Sequence, residues 1–458
     1  MRALDLSLRA QAAGIAAGEI DAAELLEATL ARIDERNPAI NAVVETFPER
    51  SREMLAAAPA GPLRGAPVVV KDEWPLPWRA QKFGSAQLPA PVQPVPAESG
   101  PYRALRDAGA VIVGVGNMHE LGSGSTGNVS VYGAARNPWD VERCPGGSSS
   151  GPAAATAARL VAGAVGADGL GSVRFPAAYC GLTGLKPTFG RSAMAGHHMA
   201  ATTSLIVSGP LCADAADCRL LGSALFGESI PAGDAAGLRI GVVRDAVSED
   251  VAPEVRAACE EALEALRAET GGSVHEIELA DLEAATLAAL LIVNAEGLGG
   301  VTPELLNGLD PAVSPVNRGF VKYRMLLPAA AIAQAKRVRT LTRRRLAALF
   351  EEVDAIAWPT IPAAAPPLDS PLVELPSGTR TADQANVRGA ALANLTGIPA
   401  VSVPVGLGEG GLPLALQLQG AWGADALLLD AAEALERANG RRWVEARPPL
   451  ARAEAAEA

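Results

Sequence analysis

Pro145-Gly146-Gly147-Ser148-Ser149-Ser150-Gly151 is followed at Asp168-Gly169-Leu170-Gly171-Ser172-Val173-Arg174 by a second serine set among glycines. A hydroxyl in a tight glycine turn can lie beside converging backbone N–H groups, which is what acyl transfer needs for a nucleophile and its oxyanion. The missing component is a base, and the rest of the chain has to provide it.

On either side of these turns, helix and strand patterns alternate. Asp21, with Glu24 three residues on, opens a helix whose apolar face carries Leu26, Leu30 and Ile33 and which Asn37-Pro38 is expected to stop. Val68-Val69-Val70 reads as a short buried strand that delivers Lys71-Asp72 at its C-terminal end. Pro101 opens a helix closed at Gly109, and Ala110 to Val115 is the next strand. A helix of small residues is expected from Ala153 to Ala162, and the alternating Val274-His275-Glu276-Ile277 reads as strand. Further strands are expected at 239–243, 355–358, 401–405 and 414–418, with helices at 253–268, 329–350 and 425–438. The Pro-rich stretches 89–96 and 359–367 read as rigid connections inside one unit, because element signals resume on both sides. The class is mixed α/β.

Composition narrows the function. In 458 residues, 39 basic against 51 acidic side chains give a net charge of -12, which repels polyanions, so neither nucleic acid nor an anionic membrane is an expected partner. Mean hydropathy is +0.18, yet the longest apolar run, Ala284 to Val293, falls well short of the roughly 18 residues that a bilayer helix requires. The N-terminus carries no export pattern, and a cytoplasmic enzyme is the expectation. Five cysteines, at 144, 180, 212, 218 and 259, show no CxxC spacing and read as buried small hydrophobes rather than disulfides or a metal site.

Three motif readings compete for the base. Gly147-Ser148-Ser149-Ser150-Gly151 fits GxSxG, which would make Ser149 a nucleophile awaiting a later acid and histidine. The four histidines, 119, 197, 198 and 275, all precede the last third of the chain and argue against it. Gly122-Ser123-Gly124-Ser125-Thr126-Gly127 fits GxGxxG, but no helix start follows it, so a dinucleotide site is not expected. The third reading takes Lys71 as the base.

Here the chain resembles a known family. Ala66 to Asp72, Asn117-Met118-His119-Glu120, Arg136-Asn137-Pro138-Trp139-Asp140 and Pro145 to Ser149 occur in the order of the amidase signature family. So do Asp168 to Ala177, Gly181 to Arg191, Trp358-Pro359-Thr360, Asn394 to Ala400 and Leu412 to Gln417. The resemblance implies a single large α/β domain over 1–458, a central mixed β-sheet surrounded by helices. Its signature core would cover about 66–210, and 211–458 would complete the same fold.

The resemblance further implies a Ser-cis-Ser-Lys triad with Ser172 as nucleophile, Ser148 as bridging serine after a cis peptide, and Lys71 as base. Ser148 and Ser172 stand 24 residues apart, the separation of the two serines in that family. A lysine accepts a proton only when neutral, and burial disfavours its charged form. Adjacent Asp72 is a candidate to hold Lys71 charged instead. The N–H groups of Gly169, Leu170, Gly171 and Ser172 are the implied oxyanion hole, with Leu170 where many members carry a glycine. Gly122 and Ser149 are expected to face substrate, His197 and His198 are candidates to line the pocket, and Asp168 is expected to pair with Arg174 to hold the loop.

No metal or cofactor is implied. The expected reaction is hydrolysis of a small-molecule amide, or a related C–N bond, through a seryl acyl-enzyme to acid plus ammonia or amine. The alternatives are the glutaminase component (the A subunit) of a tRNA-dependent amidotransferase, and an acyltransferase or non-catalytic binding protein on the same scaffold. The resemblance also allows a homodimer.

Overall fold

Short β-branched and small-residue runs, buried on both faces, build the centre of the molecule. The computed structural model describes residues 3–87, 98–194, 204–244, 250–279, 282–297, 307–440, 446 and 448–452. Its strands are β1 (Val43–Thr46), β2 (Pro67–Lys71), β3 (Val111–Gly116), β4 (Gly163–Asp168), β5 (Thr183–Lys186), β6 (Val207–Cys212), β7 (Arg239–Val243), β8 (Ser273–Ile277), β9 (Ala355–Pro359), β10 (Leu372–Leu375), β11 (Gly378–Thr381), β12 (Ala400–Leu407) and β13 (Pro413–Gly420). Eleven form one sheet in the order β1-β3-β2-β4-β6-β5-β12-β13-β9-β7-β8, while β10 and β11 make a separate hairpin.

The sheet is mixed. β3, β2 and β4 run parallel, as do β9, β7 and β8, and the strands between them pair antiparallel. Fully buried residues throughout β2, β3, β4, β5 and β6 show that helices cover both faces there. The fold is therefore α/β with a central mixed sheet.

Most of the expected elements form, and their edges move for local reasons. Asp21 caps the helix Ala22–Ile40 by accepting from the N–H groups of Ala23 and Glu24. That helix runs past Pro38 and ends at Asn41 in the left-handed conformation, φ 49°, so Asn37-Pro38 does not stop it. The Asn37 side chain instead ties the exit, accepting from the N–H groups of Ala42 and Val43. The small-residue helix is Ser150–Ala157 rather than 153–162, because Arg159 turns the chain at φ 59°. The stretch 89–96 and residues His197 and His198 lie outside the described residues. All five cysteines are free and buried, and among the described residues no helix is long and apolar enough to cross a membrane.

Topology places the chemistry. β2 and β4 are parallel neighbours, paired from Val68–Gly163 to Val70–Val165, so their C-terminal ends open on the same edge of the sheet. Lys71 closes β2 there and Asp168 closes β4, which brings the lysine to the foot of the second glycine turn.

Candidate active site

The two serine turns meet. Ser149 N–H donates to Ser172 C=O at 3.2 Å, and the Ser149 hydroxyl both donates to Ala167 C=O and accepts from Ala167 N–H, each at 3.3 Å. Ser149 is fully buried and does not face the cavity expected for it; it fastens one turn to the other. Just before it, the Gly147–Ser148 peptide is cis. A Cβ on Gly147 would stand 2.8 Å from Gly124 C=O and 3.0 Å from Thr126 N, so only glycine fits beneath the neighbouring loop.

Lys71 Nζ lies 2.8 Å from Ser148 Oγ and 3.5 Å from Ala167 C=O. A cavity of 220 Å³ opens above, walled by Lys71, Ser148 and Ser172 and also by Gly122, Gly169 and Leu170. The residues expected to act together therefore share one cavity, with Ser149 and Gly171 apart from it.

Gly171 departs from expectation for an electrostatic reason. Its N–H is spent on Asp168 Oδ1 at 2.7 Å, whereas Gly169, Leu170 and Ser172 line the cavity. It is also the left-handed residue of the turn, φ 109°, where a Cβ would lie 2.2 Å from the Phe175 ring. Leu170 takes no positive φ and packs its side chain against the apolar cluster containing Leu205 and Ile292. The branched residue therefore shapes the cavity wall without straining the backbone.

Asp168 organises this turn from beneath. Arg174 donates to it through Nε and Nη2, both at 3.0 Å, and Asn394 Nδ2 and Val173 N–H donate at 2.9 and 3.2 Å. Burial alone would push this carboxyl up, but Arg174, Lys186 and Asn394 outweigh it and hold it well below the usual carboxylate range. Lys186, wholly buried nearby, is pushed down to about 7 by burial against the pull of Asp168. His119 is lowered by burial, and its Nδ1 accepts from Gly127 N–H, so it supports the 122–127 turn as a neutral ring.

Two features of the cavity went unread in the sequence. Asp72 does not hold Lys71, because it accepts from Arg79 Nη1 and from the N–H groups of Lys82 and Gly84. The carboxylate beside Lys71 is Glu73, with Oε2 at 2.6 Å from Nζ. Glu73 lies in the turn that follows β2 at Lys71, where strand alternation no longer applies, so no local pattern pointed to it. The second feature is Arg324, in the cavity wall at the end of the helix Pro315–Arg324. It donates to Asn294 Oδ1 at 3.0 Å and Ser123 Oγ at 3.1 Å, and burial pushes it down to about 10. Among the described residues no carboxylate lies within ion-pair distance of it. Asp383 lines the same cavity and accepts from Ser125 N–H and Oγ.

A sequence model of the Amidase family matches residues 24–429. The chain belongs to the amidase signature family. It is 34% identical to the A subunit of the glutamyl-tRNA(Gln) amidotransferase from Geobacter metallireducens, over 92% of this chain and 94% of that protein. A crystal structure of an amidase superposes with a TM-score of 0.87 at 31% identity, covering 94% of this chain and 99% of the other. A vestigial protein complex bearing on the origins of an s-triazine catabolic enzyme gives a TM-score of 0.85 at 30% identity, covering 94% and 98%. The amidase signature fold thus accounts for nearly the whole chain, and an amidase-type enzyme follows from the family.

Proposed function

We propose that the protein releases ammonia from a small amide that carries a carboxylate, with an amino-acid amide such as glutamine as the best-matched class. The observation that carries this reading is the pair of opposite charges, Arg324 and Asp383, in the cavity that also holds Lys71, Ser148 and Ser172. A half-buried guanidinium with no counter-ion among the described residues is a strong site for a carboxylate. Asp383 offers an acceptor for an ammonium group, while apolar walls such as Val293 and Phe320 suit the methylenes between.

The contact of Lys71 with Ser148, and the cavity both share with Ser172, support the following chemistry. Ser172 attacks the amide carbon; its proton passes to Ser148 Oγ, whose own proton passes to neutral Lys71. The N–H groups of Gly169, Leu170 and Ser172 receive the developing oxyanion. Return of the proton to the leaving nitrogen expels ammonia, and water repeats the path on the acyl-enzyme.

The relatives' name supports placing the protein as the glutamine-hydrolysing member of an amidotransferase-like assembly. A free-standing amidase is the second reading, favoured by the amidase structure that superposes over nearly the whole chain. Purification from the native host separates the two: a stoichiometric partner whose addition raises glutaminase activity supports the assembly, and full activity of the isolated chain supports the free enzyme. For the substrate class, Arg324→Gln is expected to lower kcat/KM for carboxylate-bearing amides by roughly 100-fold, mostly through KM, while changing neutral amides of the same length little. Equal losses on both would remove Arg324 from substrate recognition.

A further inference from the structure

Lys71 is surrounded by acceptors. Ser148 Oγ, Ala167 C=O and Glu73 Oε2 lie 2.8, 3.5 and 2.6 Å from its Nζ, and the side chains of Lys71 and Glu73 are 1% and 6% exposed. Nζ donates to Ser148 Oγ and Ala167 C=O, while the Glu73 carboxylate makes a charge contact, and opposite charge at such short range favours an ammonium over a neutral amine. An ammonium cannot take the proton of Ser148. The relay therefore needs Lys71 without that proton.

The neighbouring charges do not relieve this. Asp72 faces away to Arg79. Glu120 is engaged by Ser85 Oγ, Ser314 N–H and Asn317 Nδ2, and Asp383 by Ser125. His119 is a neutral ring lowered by burial, and Arg324 is held by Asn294 and Ser123 on the cavity wall. Asp168, which closes the adjacent strand, is committed to Arg174. Glu73 is the carboxylate in direct contact with the lysine.

We propose that Glu73 is a positioning residue that retains the proton on Lys71 in the resting site and so sets the pH above which Ser172 becomes nucleophilic. This rests on the reading of Lys71 as base and Ser172 as nucleophile. The step is a proton loss: Lys71–NH3+ beside Glu73–COO− gives its proton to a base in the solvent, leaving Lys71–NH2 beside the same carboxylate. The neutral amine then accepts from Ser148 as Ser148 accepts from Ser172. A carboxylate in contact opposes the first loss, because opposite charge at short range favours the charged form. The enzyme is armed on the alkaline side and quiet on the acid side.

The experiment needs no known substrate. A fluorophosphonate, which phosphonylates activated serines with loss of fluoride, is reacted with the full chain across a pH series, the rate of modification at Ser172 is followed by mass spectrometry, and folding is checked by thermal melting. Glu73→Gln is expected to move the acid limb of the rate down by about one pH unit or more, so that at the foot of the wild-type limb the variant reacts roughly tenfold faster. Glu73→Asp, which keeps the charge, is expected to restore a limb close to wild type. Superimposable limbs for wild type and Glu73→Gln would overturn the proposal, as would a Glu73→Gln that melts normally yet is slower at every pH. Absence of wild-type labelling at Ser172 at every pH would instead remove the nucleophile reading beneath it.

Discussion

Ser172→Ala is expected to lower amide turnover by about 10⁴-fold or more while leaving the melting temperature unchanged. If Ser172 is the nucleophile proposed above, losing its hydroxyl leaves only binding and oxyanion stabilisation, which for serine hydrolases costs on the order of 10⁴ to 10⁶ in rate. Stability is spared because Ser172 is only partly buried at the cavity wall, and the contact it gives the neighbouring turn is made by its backbone carbonyl. Ammonia release measured beside a thermal melt checks both halves. Ser149→Ala provides the contrast: its hydroxyl is spent in both directions on Ala167, so it should disturb the packing of the turns more than it removes chemistry. A loss at Ser149 matching that at Ser172, with melting intact, would return the GxSxG reading.

Asp168→Asn is expected to be the most damaging single change to the fold near the site, destabilising by about 3–5 kcal/mol. The carboxylate receives donors from Gly171, Val173, Arg174 and Asn394. An amide puts its own donors against these and leaves the fully buried Arg174 guanidinium without its compensating charge. The sign with pH follows from the depressed carboxyl. Its stabilisation is complete above the ordinary carboxylate range and is lost as pH falls through the lower value held in the fold. Urea melts at neutral and acid pH should show the variant far weaker than wild type at neutrality, with the gap narrowing toward strong acid. A constant gap would mean that Asp168 acts through shape alone.

How much of this was legible in the sequence depends on the range of the contact. Val68-Val69-Val70 predicts β2 because a β-branched run bounded by Pro67 and the turn after Lys71 has few other readings, and Asp21 predicts its helix through a cap made within three residues. The resemblance to amidases carries the meeting of Lys71, Ser148 and Ser172, which no local pattern could. β5 and β6, with sequences Thr183-Gly184-Leu185-Lys186 and Val207-Ser208-Gly209-Pro210-Leu211-Cys212, carry glycine or proline and no alternation, so their partners rather than their propensity make them strands. Glu73 was hidden for a different reason. Its meaning depends on how the turn after β2 folds back on Lys71, and the nearer carboxylate in sequence, Asp72, is committed to Arg79. Arg324 reaches the cavity only when the helix carrying it has docked, which the chain does not announce.

The ties beneath the nucleophile turn also bear on how the protein is born. Arg174 donates to Ala390 C=O and to the side chains of Asn394 and Gln417, and Asn394 donates to Asp168. These bonds span more than two hundred residues, so the turn that presents Ser172 cannot close on its final shape until β13 has been synthesised and paired. A ribosome-bound chain that already carries Lys71, Ser148 and Ser172 would still lack the proposed relay in its final geometry until β13 has emerged and paired.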